Sequence, residues 1–78
     1  MSNLEKYNKV FVDTFDVDEA ELSGLRYQGI EAWDSVGHME LIAQLEDVFD
    51  IMFHTEDIEE LSSYEDGKDI LREYDVVI

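Results

Sequence analysis

Along most of this chain the apolar residues recur at helical rather than alternating spacing, and each lapse in that period marks an element boundary. Leu4, Tyr7, Phe11 and Phe15 fall about a turn apart. Ser2 with Glu5 three residues later has the form of a capping box, so the pattern predicts a first helix over about residues 3 to 15. From 16 to 33 the period is lost: Gly24 and Gly29 mark turn points, and Leu22, Leu25, Ile30 and Trp33 are isolated apolar anchors. A connection of this length is unusual in a small domain, and Asp18 to Leu22 has room for one helical turn. Asp34 or Ser35 opens a second helix that runs to about Asp50, with Leu41, Leu45, Val48 and Phe49 on its core face. Thr55 can cap a short third helix holding Ile58 and Leu61. Ser63 and Asp66 form another capping-box pattern, opening a fourth helix through Tyr64, Leu71 and Tyr74. Gly67 and Lys68 stand where that helix should show its next apolar pair; they read as close packing and as a snorkelling side chain. The expectation is an all-α fold: a four-helix bundle with a long loop between helices one and two and a short third helix, forming one domain over residues 1–78.

Composition narrows the function. A chain of 78 residues has room for one modest core and little for a deep catalytic pocket, so an autonomous enzyme is not expected. With 21 acidic residues against 5 basic ones, the net charge of -16 repels phosphate backbones and anionic lipid. Nucleic acid and membranes are therefore poor partners, and basic protein surfaces are good ones. The absence of Cys excludes disulfides and thiolate sites, and any sulfur chemistry would need an imported thiol. No apolar run approaches the ~20 residues of a membrane span. Met1-Ser2-Asn3-Leu4-Glu5 lacks the basic and apolar regions of a signal peptide, so a cytoplasmic location is expected. The chain is expected to act as a monomer.

The second helix carries more than a core face. At about 100° per residue, Val36, Met39 and Ala43 lie opposite Leu41 and Leu45, flanked by Glu40, Glu46 and Asp47. Such a strip is either a few exposed apolar residues, common on any surface, or a docking face on which apolar contacts give affinity and the acidic rim orients a basic partner. Ser35 stands at its mouth. Its hydroxyl has two readings: an N-cap, a role Asp34 could equally take, or the bearer of a phosphodiester favoured by the unpaired amides and positive end of the helix.

The stretch Trp33-Asp34-Ser35-Val36-Gly37-His38-Met39-Glu40-Leu41-Ile42 resembles the attachment motif of acyl carrier proteins. The resemblance extends over nearly the whole chain: a first helix, a long loop, an acidic second helix ending Leu45-Glu46-Asp47-Val48-Phe49-Asp50-Ile51, a short third helix, and Ser62-Ser63-Tyr64 opening the fourth. It implies that Ser35 accepts a covalent 4'-phosphopantetheine from coenzyme A, with Asp34 assisting the magnesium-dependent transfer. Ser35 is then an acceptor and the chain has no catalytic activity of its own, the base and metal belonging to the transferase. The group would bring the missing thiol, and cargo would be held on it as a thioester. Implied partners are a phosphopantetheinyl transferase and the ligases, synthases and transferases of a fatty-acid, polyketide or specialised pathway. They would dock on Val36, Met39, Glu40, Ala43, Glu46 and Asp47. Gly37-His38-Met39 departs from the fatty-acid-synthesis pattern and looks more like stand-alone carriers of specialised pathways, while Gly67-Lys68 replaces the family's apolar pair.

Other chemistry is thinner. His38 follows Ser35 by one turn, but helical position turns it toward Leu41, Leu45 and Phe49, as a packed or capping histidine rather than a base. His54 precedes the Thr55 cap. Trp33 reads as an anchor of the long loop. Asp13, Asp16, Asp18, Glu19 and Glu21 lack the ligand spacing of a calcium loop, and no metal site is expected. Two alternatives to an acyl carrier stand beside it: an aminoacyl or peptidyl carrier of the same fold, and an unmodified acidic adaptor that docks basic partners through helix two.

Overall fold

The computed structural model describes residues 1 to 78 and is all-helical. Ser2 Oγ accepts from the Glu5 amide at 3.1 Å and Glu5 Oε1 accepts from the Ser2 amide at 3.0 Å. This completed capping box starts α1, Asn3–Phe15, which a left-handed Asp16 ends. Its core face is Tyr7, Val10, Phe11 and Phe15; Leu4, in its first turn, is 40% exposed. The helical turn expected after it is a 3-10 helix, Glu19–Gly24, that buries Leu22. Then come α2, Ser35–Phe49, α3, Thr55–Glu60, and α4, Tyr64–Arg72.

The long connection before α2 lies flat on the core. The Tyr27 amide donates to the Ser62 carbonyl at 2.8 Å and the Tyr64 amide to the Leu25 carbonyl at 2.9 Å, so a short antiparallel bridge ties the loop to the start of α4. Its turn closes through Gly29 N–H to Arg26 O and Gln28 N–H to Trp33 O, each 2.8 Å. Gly29 sits in a turn, whereas Gly24, expected at one, is the last residue of the 3-10 helix, and the left-handed residue of the turn is Gln28, with φ of 62°. Trp33 is fully buried, stacked on Phe15 at 5.0 Å and edge-on to Phe11 at 5.6 Å. The loop-anchor reading of Trp33 holds. The Cα radius of gyration, 11.2 Å, matches the roughly 11.5 Å of a compact chain this long, so the connection adds no bulk.

Sixteen buried apolar residues form one core. On α2 the inward set is Leu41, Ile42 and Leu45, with Phe49 half-buried. Val48, expected in the core, is 37% exposed and borders a groove shared with α1, because the buried face of α2 is turned toward Ile42, about 120° around the helix from Val48. Two capping expectations need correcting. α3 starts one residue early, on the His54 carbonyl, which accepts from Asp57 and Ile58; Thr55 is its first helical residue. At α4, Ser63 Oγ accepts from the Asp66 amide at 3.0 Å, but the Asp66 carboxylate takes the Ser62 hydroxyl at 2.8 Å. Asp is one methylene shorter than the Glu or Gln that closes such a box. α4 ends at Arg72, leaving Tyr74 beyond it.

The Gly67-Lys68 pair has a physical basis. A Cβ on Gly67 would lie 2.1 Å from the Tyr7 hydroxyl, which donates to the Tyr64 carbonyl at 2.6 Å. Lys68 lays its stem along α4 with its ammonium 4.5 Å from the centre of the Tyr64 ring and 3.5 Å from Glu65, as a snorkelling lysine does. No helix is long and apolar enough to cross a membrane.

Candidate functional site

The start of α2 resolves the choice between two possible caps. Asp34 is extended and its Oδ1 accepts from the Gly37 amide at 2.8 Å, while its carbonyl accepts from His38 at 2.8 Å. Asp34 is the cap and Ser35 the first helical residue. The Ser35 side chain is exposed and its hydroxyl has no hydrogen-bond partner; the amides of Ser35 and Val36 also find none in the chain. A nucleophilic oxygen and two open donors thus share the positive end of a fifteen-residue helix. Gly37 is what lets the turn sit this deep: a Cβ there would lie 2.0 Å from the Ala32 carbonyl and 3.3 Å from the Phe15 ring.

His38 is fixed by two bonds to fixed partners. The Trp33 indole donates to its Nδ1 at 3.0 Å, and its Nε2 lies 2.8 Å from the Ile58 carbonyl. An indole N–H only donates and a carbonyl only accepts, so the ring is neutral with its proton on Nε2. Neither nitrogen is left for Ser35, which removes the base–nucleophile pairing. The ring is a packed histidine, as expected, but it bridges Trp33 to α3 instead of lying among leucines. This matters because α3 buries no residue of its own. Its other fastening is Tyr74, whose hydroxyl donates to Asp57 at 2.5 Å and accepts from the His54 amide at 2.8 Å. Burial first, and then the bond to Asp57, push the Tyr74 hydroxyl above the ordinary tyrosine value.

Between α2, α3 and the loop lies an open cleft of about 390 Å³ with Ser35 on its rim. Tyr27, Met39, Ile58 and Leu61 supply its apolar walls and Glu59 its one charged side chain; Tyr27 stands edge-on to His38 at 5.5 Å. Pattern reading found Ser35 and Met39 but missed Tyr27, Glu59 and the part His38 plays. Tyr27 and Glu59 belong to segments with no periodic signal toward α2, and a bond from His38 to a backbone carbonyl twenty residues away leaves no trace in residue types.

The strip opposite the core is as expected at Val36, 68% exposed, at Met39, 53% exposed, and at Ala43, Glu40 and Asp47, all exposed. Glu46 differs. It is half-buried, and its Oε2 accepts from the Phe53 amide at 2.9 Å, so it braces the α2–α3 connection rather than standing free on the rim. On the strip's far side, Glu40, Ala43 and Val48 border a groove of about 760 Å³ whose opposite wall on α1 carries Lys6 and Lys9.

Comparison with protein-family models, curated proteins and solved structures finds no match for this chain.

Proposed function

We propose that this chain is an acyl carrier protein in which Ser35 accepts 4'-phosphopantetheine from coenzyme A and presents thioester-bound acyl groups to partner enzymes. One observation carries the reading: Asp34 takes the cap, so the Ser35 hydroxyl is exposed and without a partner where a serine at a helix start is ordinarily consumed by capping. The residues present fit the group. The free amides of Ser35 and Val36 and the helix dipole favour the negative charge of a phosphodiester. When bound, the group supplies the thiol that this Cys-free chain lacks.

The chain's own contribution is positional. Asp34 Oδ1 is spent on Gly37, and Oδ2 is left to face the magnesium of a modifying enzyme. As the Ser35 oxygen bonds to the phosphopantetheine phosphorus, the pyrophosphate P–O bond of coenzyme A breaks, adenosine 3',5'-bisphosphate leaves, and the hydroxyl proton passes to a base of that enzyme, since His38 has no nitrogen to offer. Val36, Met39 and Ala43 form the apolar part of a docking face whose free charges are Glu40 and Asp47, suited to ligases, synthases and transferases with basic surfaces. In this reading the four α-helices act as one bundle that holds the Ser35 turn rigid. Incubation with coenzyme A and a broad-specificity phosphopantetheinyl transferase should add one phosphopantetheine to the intact mass, and Ser35→Ala should abolish the adduct. An unshifted wild-type mass favours the unmodified adaptor.

A further inference from the structure

The core beneath Ser35 is filled. Trp33, Tyr7, Phe11, Leu41, Leu45, Leu61 and Leu71 have less than 2% of their surface exposed, and Tyr7 and Gly67 are in direct contact where α1 meets α4. What adjoins Ser35 is therefore an open cleft rather than an interior tunnel. A long alkyl chain lying in it would keep one side in water and forgo much of the ~0.8 kcal/mol gained per fully buried methylene. Its charge is one-sided: no Lys or Arg lines it, Glu59 does, and the chain as a whole carries -16. A cargo ending in a carboxylate finds no cationic partner there and is repelled by Glu59. The Tyr27 hydroxyl, on the wall, has no partner in the chain, whereas both His38 nitrogens are already engaged.

Resting on the carrier reading of Ser35, we infer that the cleft selects a short acyl group bearing a cationic amine, an aminoacyl-type cargo. The ammonium is held by Glu59 and the Tyr27 hydroxyl, and the short carbon chain lies against Met39, Ile58 and Leu61.

The experiment uses the transferase to load Ser35 from four stable amide analogues of acyl-coenzyme A: 3-aminopropionyl, butyryl, malonyl and octanoyl. Intact mass verifies loading, and amide and methyl chemical shifts are then compared. The expected result is that the 3-aminopropionyl form shifts the Tyr27, Ile58, Glu59 and Leu61 signals at least twofold more than the butyryl or malonyl form. Glu59→Gln, a change on the exposed face of α3, should erase that preference while leaving loading intact. Octanoyl should leave the Leu41, Leu45 and Leu71 methyls unmoved. Full loading with equal or larger cleft shifts from butyryl or malonyl, or octanoyl shifts at those core methyls, overturns the cargo assignment alone. Failure of all four analogues to load sinks the carrier reading and this inference with it.

Discussion

Replacing His38 by Leu removes the one side chain that satisfies a fully buried indole N–H and at the same time holds α3. The magnitude follows from the two bonds. The Trp33 N–H, 0% exposed, would be stranded, at a cost of about 1–3 kcal/mol, and the bond to the half-exposed Ile58 region contributes about 1 kcal/mol more. A loss of about 2–4 kcal/mol is large against the roughly 4–12 kcal/mol available to a chain this size. Urea unfolding, followed by far-UV circular dichroism and by the fluorescence of Trp33, the only tryptophan, should show the midpoint falling by more than about 1 M. Since the larger part of the cost is an orphaned donor, Trp33→Phe combined with His38→Leu should be less destabilised than the sum of the single changes, by about 1–2 kcal/mol. A midpoint shift below about 0.3 M, or strict additivity in the double variant, would refute the bridging account of His38.

Gly67→Ala places a methyl 2.1 Å from the Tyr7 hydroxyl and should cost about 2–3 kcal/mol by urea midpoint, partly recovered by Tyr7→Phe; an unchanged midpoint contradicts the packing. Burial, and then the neighbouring Tyr64 and acidic residues of α4, push the Tyr7 hydroxyl well above the ordinary tyrosine value of about 10. The folded value thus exceeds the unfolded one, so this contribution is intact below about pH 10 and declines as pH rises further, by up to about 1.4 kcal/mol per unit. Unfolding at pH 9, 10 and 11 should show Tyr7→Phe losing less stability than wild type, and parallel losses would count against it. Glu40→Lys with Asp47→Lys should slow priming and acyl transfer several-fold with helicity unchanged; normal rates would remove the docking face.

How far pattern reading reaches depends on whether a residue's role is local. The start of α1, and that of α2 to within one residue, were legible because capping involves side chains and amides three residues apart, as at Ser2–Glu5 and Asp34–Gly37. Close packing at Gly67 was legible as a break in an apolar stripe, although only the fold names Tyr7 as what fills it. Val48 departs from the expectation because helical period gives the relative directions of residues on α2 and not how far that face is turned toward Ile42. The cleft was illegible: its walls come from the loop, α2 and α3, brought together by an antiparallel bridge and by a histidine bonded to a backbone carbonyl. The competition between Asp34 and Ser35 for the cap could not be decided from residue types, since either side chain can serve.

Attachment at the Ser35 oxygen is tested by the intact mass, with peptide mapping, of the polypeptide isolated from the cells that make it. A population heavier by one phosphopantetheine is expected, with the modification mapping to the peptide that contains Asp34 and Ser35. Protein recovered wholly at its unmodified mass, from cells shown to prime other carriers, would contradict it.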